Sequence, residues 1–193
     1  MSPTAPCSTP SLPTRRGLLT LGLGLTAGAA GAALGQEEPP SGQPRVIYAV
    51  RHAEKGEGQD PVLTEAGAAR ARQLAEVLRD VPLSAVYSTS PQRTRLTAAP
   101  VAEGRGLEVT TYRPQKGALS GQLLAGTGPA LVVGHSNTIP ALLRELGADP
   151  GAGELQGYDD LFLLLLLPAQ GGAPRALLQH LHYGARSAAA HGH

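Results

Sequence analysis

Three short stretches hold most of the reactive side chains: Arg51-His52-Ala53-Glu54-Lys55, Arg93-Thr94-Arg95 and His135-Ser136-Asn137-Thr138. A guanidinium fork matches two phosphate oxygens at once. An imidazole can be a donor or a nucleophile. Asn137-Thr138 opens a helical stretch, and the N–H groups at such an end favour an anion. If these stretches meet, they form a phosphate site with a nucleophile inside it. Such a site needs no metal and no cofactor, because its positive charge comes from two or three arginines and the two histidines.

The chain between them supplies the scaffold. Val46–Val50, Ala85–Ser88, Leu107–Thr111, Ala130–Val133, Leu161–Leu167 and Ala176–Leu181 read as six strands, with Leu161–Leu167 expected to be buried on both faces. Helical stripes lie between them. Thr64 caps one that buries Ala71, Leu74, Ala75 and Leu78 and turns Arg70, Gln73, Glu76 and Arg79 to water. Ser90-Pro91 reads as a cap and first-turn proline of a second helix, which Pro100 should kink or break. Ile139, Leu142, Leu143 and Leu146 mark another. The segment 112–129 reads as irregular or briefly helical. This β-α alternation predicts a three-layer α/β fold, a mostly parallel six-stranded sheet with helices on both faces. In such sheets ligands bind beyond the C-terminal strand ends, where the three stretches fall.

Val50-Arg51-His52-Ala53-Glu54 resembles the arginine-histidine signature of the histidine phosphatase superfamily, the phosphoglycerate mutase-like fold. Arg93-Thr94-Arg95-Leu96-Thr97-Ala98 and Val133-Gly134-His135-Ser136-Asn137-Thr138 resemble its later segments, in the family's order. Leu63-Thr64-Glu65-Ala66-Gly67 is similar to its usual first-helix start. The resemblance covers about residues 45–183 and looks like the compact phosphatase members. It implies that His52 attacks phosphorus and becomes a phosphohistidine. It implies that Arg51, Arg93 and His135 hold the phosphoryl oxygens, with Asn137 adding to the phosphate site, and that water then releases the phosphate. Arginine four residues before Thr-Ala selects Arg93 over Arg95.

In many members a carboxylate just beyond the third strand protonates the leaving oxygen. Here Tyr112-Arg113-Pro114-Gln115-Lys116-Gly117-Ala118 holds no Asp or Glu. Glu54 is the first candidate for that acid, with Asp60 and Asp159 behind it. Glu54 could instead orient an arginine. Lys55 reads as a rim charge, Asp159-Asp160 as a strand-start cap, and His180 and His182 as solvent-face residues of one strand.

The first 35 residues read as a signal peptide. Arg15-Arg16 precedes an uncharged stretch, Leu18–Ala33, of Leu, Ala, Gly and Thr, which resembles a twin-arginine export signal. At about 16 residues it is short for a membrane span, so no stable insertion is expected after cleavage. Residues 36–44 read as a linker, 45–183 as the domain and 184–193 as a flexible tail. The expected location is periplasmic or secreted.

Composition agrees with this reading. The 193 residues carry 16 Lys+Arg against 15 Asp+Glu with no dense basic run, so nucleic acid is not an expected partner. The single cysteine, Cys7, allows no internal disulfide or thiolate zinc site. The expected partner is a small phosphorylated substrate, and the reading is an exported, metal-independent phosphomonoesterase. A catalytically weak phospho-ligand-binding protein of the envelope is the alternative from another class, and a phosphomutase the alternative among enzymes. Export weighs against the mutase and against a phosphohistidine-protein phosphatase.

Overall fold

The computed structural model describes residues 44–168 and 175–187. The expected signal peptide, most of the expected linker, residues 169–174 and residues 188–193 lie outside them. The elements in chain order are β1 (Arg45–Arg51), α1 (Glu65–Val77), β2 (Ala85–Ser88), α2 (Gln92–Glu103), β3 (Val109–Thr111), α3 (Ala118–Ala125), β4 (Ala130–Gly134), α4 (Thr138–Glu145), β5 (Asp160–Leu167) and β6 (Arg175–His182).

The six strands form one sheet in the order β3-β2-β4-β1-β5-β6. β3, β2, β4 and β1 run parallel, whereas β5 and β6 pair antiparallel. The sheet is therefore mixed rather than uniformly parallel. The alternation of buried side chains along the strands splits the core into two layers. Ile47, Ala49, Ala130, Val132, Phe162 and Leu164 pack with Leu119, Leu123, Ile139 and Leu143 of α3 and α4. Val50, Leu131, Val133, Val86 and Leu161 pack with Leu74, Ala98 and Val101 of α1 and α2. Beyond Phe162, β5 alternates buried and half-buried side chains, so it is not buried on both faces throughout.

Helix starts depart locally from expectation. Thr64 does cap α1, its side chain accepting from Gly67 N–H at 3.1 Å. Ser90 does not cap α2; the first N–H, of Gln92, is taken by Asp60 Oδ1 at 2.9 Å. α2 runs through Pro100 to Glu103. Arg70 does not face water. It is 4% exposed and folds back from α1 over the loop after β1.

Direction decides what gathers at one end of the sheet. The parallel strands bring the residues after β1, β2 and β4 to the same mouth. Because β5 is antiparallel, the segment Tyr158 to Asp160 at its start comes to the same end of the sheet, where Tyr158 reaches the mouth. β6 returns parallel to β1 and ends with His182 and Tyr183 at that end, beside β5. Of the stretch 184–193, residues 184–187 are described. Ala185 accepts from Arg70, and Ser187 bonds Asp159 and Tyr158 N–H.

Candidate active site

His52 is the first residue beyond β1. Its N–H continues the ladder to Gly134 carbonyl at 2.9 Å, which joins the ends of β1 and β4. Its side chain is 3% exposed. Nδ1 lies 2.8 Å from the Ala53 carbonyl. A carbonyl only accepts, so Nδ1 carries the hydrogen and Nε2 the lone pair. Burial pushes the His52 pKa down to about 3; the Ala53 hydrogen bond opposes this, and the charges of Arg51, His135 and Arg93 add to it. The ring is neutral and faces the mouth as a nucleophile would.

His135 stands across from it, ring centroids 5.5 Å apart and planes at 68°. Burial, then Arg93 and Arg51, push its pKa down to about 4. Nε2 sits 2.9 Å from Thr89 Oγ1. The Thr89 hydroxyl donates to Thr94 Oγ1, and Thr94 donates to the Pro91 carbonyl. Thr89 can therefore only accept from His135, so Nε2 holds the hydrogen of the neutral ring. Thr138 Oγ1 accepts from His135 N–H at 2.8 Å. Gly134 admits this packing, because a Cβ there would lie 2.8 Å from both Thr138 Oγ1 and Ile139 Cδ1.

Two arginines complete the mouth. Arg51 NH1 donates to the carbonyls of Leu155, Gln156 and Gly157 at 3.0, 3.4 and 3.3 Å. Its guanidinium lies 4.3 Å over the Tyr158 ring, and that ring is tilted 5.8 Å from His52. Arg93 is half-buried on the first turn of α2. Its carbonyl accepts from Thr97 Oγ1, which in turn accepts from Ala53 N–H. That bridge ties α2 to the residue next to His52. Neither arginine has a carboxylate partner among the described residues. Nε of Arg51 and Nε of Arg93 are buried and unbonded. Unbonded buried donors beside a neutral imidazole suit an anion with several oxygens.

Residues 47–114 match the model of the histidine phosphatase superfamily, branch 1. No curated protein sequence matches the chain. Among solved structures, a protein from Nakamurella multipartitia named for the phosphohistidine phosphatase SixA is similar. It is 26% identical with a TM-score of 0.52, over 76% of this chain and all of that one. The protein histidine phosphatase SixA complexed with tungstate is 18% identical with a TM-score of 0.56, over 71% of this chain and 96% of its own. The mycobacterial glucosyl-3-phosphoglycerate phosphatase is 16% identical with a TM-score of 0.58, over 74% of this chain and all of its own. The α/β fold of these neighbours is the fold of this chain.

The structure brings Arg51, His52, Arg93 and His135 together, and leaves Arg95 exposed on the outer side of α2. Asn137 is exposed and holds the N-cap position of α4 without a side-chain capping bond. It lines an adjoining cleft of about 490 Å³ with Tyr112, Lys116 and Leu142. The three acid candidates are engaged elsewhere. Arg70 grips Glu54 with both oxygens bonded, at 2.7 to 3.0 Å. That fork-on-carboxylate geometry occupies both Glu54 oxygens, so Glu54 is placed to position Arg70. Asp60 caps α2. Asp159 bonds Ser187 and faces His182.

Sequence reasoning missed Tyr158, Thr89 and Arg70. Thr89 directly follows a strand, which is a readable signal. Tyr158 precedes a strand, and only the antiparallel direction of β5 brings it to the mouth.

Proposed function

We propose that this chain is an exported phosphatase that works through a phosphohistidine on His52. Nε2 of His52 attacks phosphorus in line and the leaving group departs on the far side. Arg51 and Arg93 hold the equatorial oxygens, where negative charge sits in the transition state. A bound dianion favours protonated His135, whose Nδ1 then becomes a second donor toward it. Water attacks the phosphohistidine and regenerates His52. The observation that carries this reading is the pair of arginines without carboxylate partners among the described residues, beside a buried neutral imidazole.

Because His52 is held neutral far into the acid range, the nucleophile remains competent at mildly acidic pH. Turnover is expected to survive EDTA, since the mouth is built from guanidinium and imidazole groups rather than the carboxylate cluster Mg²⁺ needs. Orthovanadate is expected to inhibit.

A second reading concerns the leaving group. Glu54, Asp60 and Asp159 are all engaged away from the mouth. An alkoxide needs a proton as it leaves, whereas a protonated N-phosphoimidazole leaves as neutral imidazole without one. This favours phosphorus–nitrogen or aryl phosphate substrates over alkyl esters, in keeping with the likeness to SixA proteins.

The experiment is a panel of alkyl phosphate, aryl phosphate and N-phosphohistidine substrates, with phosphoenzyme trapped by alkaline quench. Phosphate on His52, and alkyl esters turned over slowest, is the expected result. A wild-type enzyme that turns over none of them supports the binding-protein alternative. Export is tested by Arg15→Lys with Arg16→Lys, which keeps the charge but removes the guanidinium pair. The variant is expected to stay in the cytoplasm; normal export would point to the general secretory route.

A further inference from the structure

His180 and His182 lie two residues apart on β6, so both side chains leave one face of the sheet. The antiparallel register sets Asp160 opposite His182, and Phe162 opposite His180. Cross-strand partners share a face, so a carboxylate and two imidazoles meet there. Oδ1 of Asp160 is 2.8 Å from His180 Nε2 and 3.7 Å from His182 Nδ1. One ligand atom from each of the three residues lies within 4.8 Å of the other two. The His180 ring stacks on buried Phe162, centroids 4.4 Å apart and planes at 16°, which fixes its plane.

We propose that Asp160 Oδ1, His180 Nε2 and His182 Nδ1 bind one Zn²⁺, at a site separate from the phosphate mouth. Two imidazoles and a carboxylate suit zinc, whereas Mg²⁺ and Ca²⁺ take oxygen ligands. Tetrahedral zinc holds its ligand atoms about 3.3 Å apart. The two Asp160 separations fall on either side of that value and the two imidazole nitrogens lie within 4.8 Å of each other, so side-chain rotations close the site. Asp159 adds negative charge. Its Oδ1 is held by Ser187, while Oδ2 stands 3.3 Å from His182 Nδ1. Water takes the fourth position, as at other three-ligand zinc sites. The ion joins β5 to β6, the outermost strand on that side of the sheet, so its effect is on stability rather than turnover.

The test is calorimetric titration of the full chain, prepared without an affinity tag, with ZnCl₂. One Zn²⁺ per chain with a micromolar or tighter Kd, and a higher Tm, is the expected result. His182→Ala and Asp160→Asn should each weaken binding by at least ~10-fold, in line with the sensitivity of metal sites to their ligand shell, and leave aryl phosphate turnover unchanged. Far-ultraviolet circular dichroism verifies that both variants fold. His52→Ala, and the pair His191→Ala with His193→Ala, should bind zinc as the wild type does. The proposal is overturned if the wild type binds no zinc at micromolar concentration. It is equally overturned if binding survives His182→Ala and Asp160→Asn, or is lost with His52 or with the tail histidines.

Discussion

The molecule carries two pairs of histidines at the same end of one sheet, and their surroundings are opposite. His52 and His135 sit among guanidinium groups, desolvated, with pKa values pushed down to about 3 and about 4. His180 and His182 lie at the β5–β6 edge, more open to solvent and facing the carboxylates of Asp159 and Asp160. The first pair is kept neutral in a positive field suited to an anion. The second is a set of donors beside negative charge, suited to a cation. The ring is the same in both; strand direction and neighbouring charge decide its chemistry.

Substitutions at the mouth test the first half of that contrast most severely. His52→Ala removes the nucleophile, and hydrolysis of a chromogenic aryl phosphate should fall below detection in steady-state assays. Arg51→Ala, Arg93→Ala and His135→Ala each remove an oxygen-holding donor, and kcat/KM should fall ~10²–10³-fold. Wild-type rates in any of these four would place the anion elsewhere.

The Glu54–Arg70 pair comes next. Arg70→Ala strands a mostly buried carboxylate and frees the Tyr183 and Ala185 carbonyls. Denaturant titration should show a loss of about 2 kcal/mol. Glu54→Gln should slow alkyl and aryl phosphates by the same several-fold factor, as a positioning residue does. A loss confined to alkyl phosphates would restore Glu54 as the acid.

Stability against pH sharpens the contrast further. The unfolded chain binds protons on His52 and His135 near pH 6.5, whereas the folded chain resists them down to about 3 and about 4 respectively. Their contribution is therefore complete above pH 6.5 and is lost as pH falls toward the folded values. The unfolding free energy from urea titration should decline between pH 6.5 and 4, by on the order of 5 kcal/mol for the two groups together, and less steeply in His135→Gln. The smallest effect is expected for exposed Arg95→Ala, a few-fold at most in kcat/KM; a larger loss there than for Arg93→Ala would shift the register of α2.

Much of the mouth was legible because its residues directly follow parallel strands. His52, Arg93 and His135 need no long-range pairing to be placed. The pattern of the resembled family, an arginine four residues before Thr-Ala, separates Arg93 from Arg95, and Arg95 lies exposed on α2. Arg70 was misread because helical period alone puts it on the outer stripe, while its partner, Glu54, lies sixteen residues earlier in a loop. Period also carries no direction. Leu161–Leu167 reads as a strand either way, yet only the antiparallel course brings Tyr158 to His52 and Asp160 to His182. For the same reason the carboxylate beside His180 and His182 has no counterpart in local spacing.

The carbonyls of Leu155, Gln156 and Gly157 that receive Arg51 settle that side chain before any ligand arrives. A free arginine gives up about 2 kcal/mol of rotamer entropy when it is fixed in one pose. Here that loss occurs while the chain folds, so the binding step does not carry it. Backbone oxygens have no stake in side-chain identity, so the length of this loop matters more than its letters. Substitutions at exposed Gln156 should pass almost unnoticed, whereas the Leu155 side chain packs against the core and is less free to change. Deleting one residue between Gly153 and Gly157 would keep every reactive side chain in the sequence and still weaken the hold on an anion, because Arg51 would have to be ordered anew at each encounter.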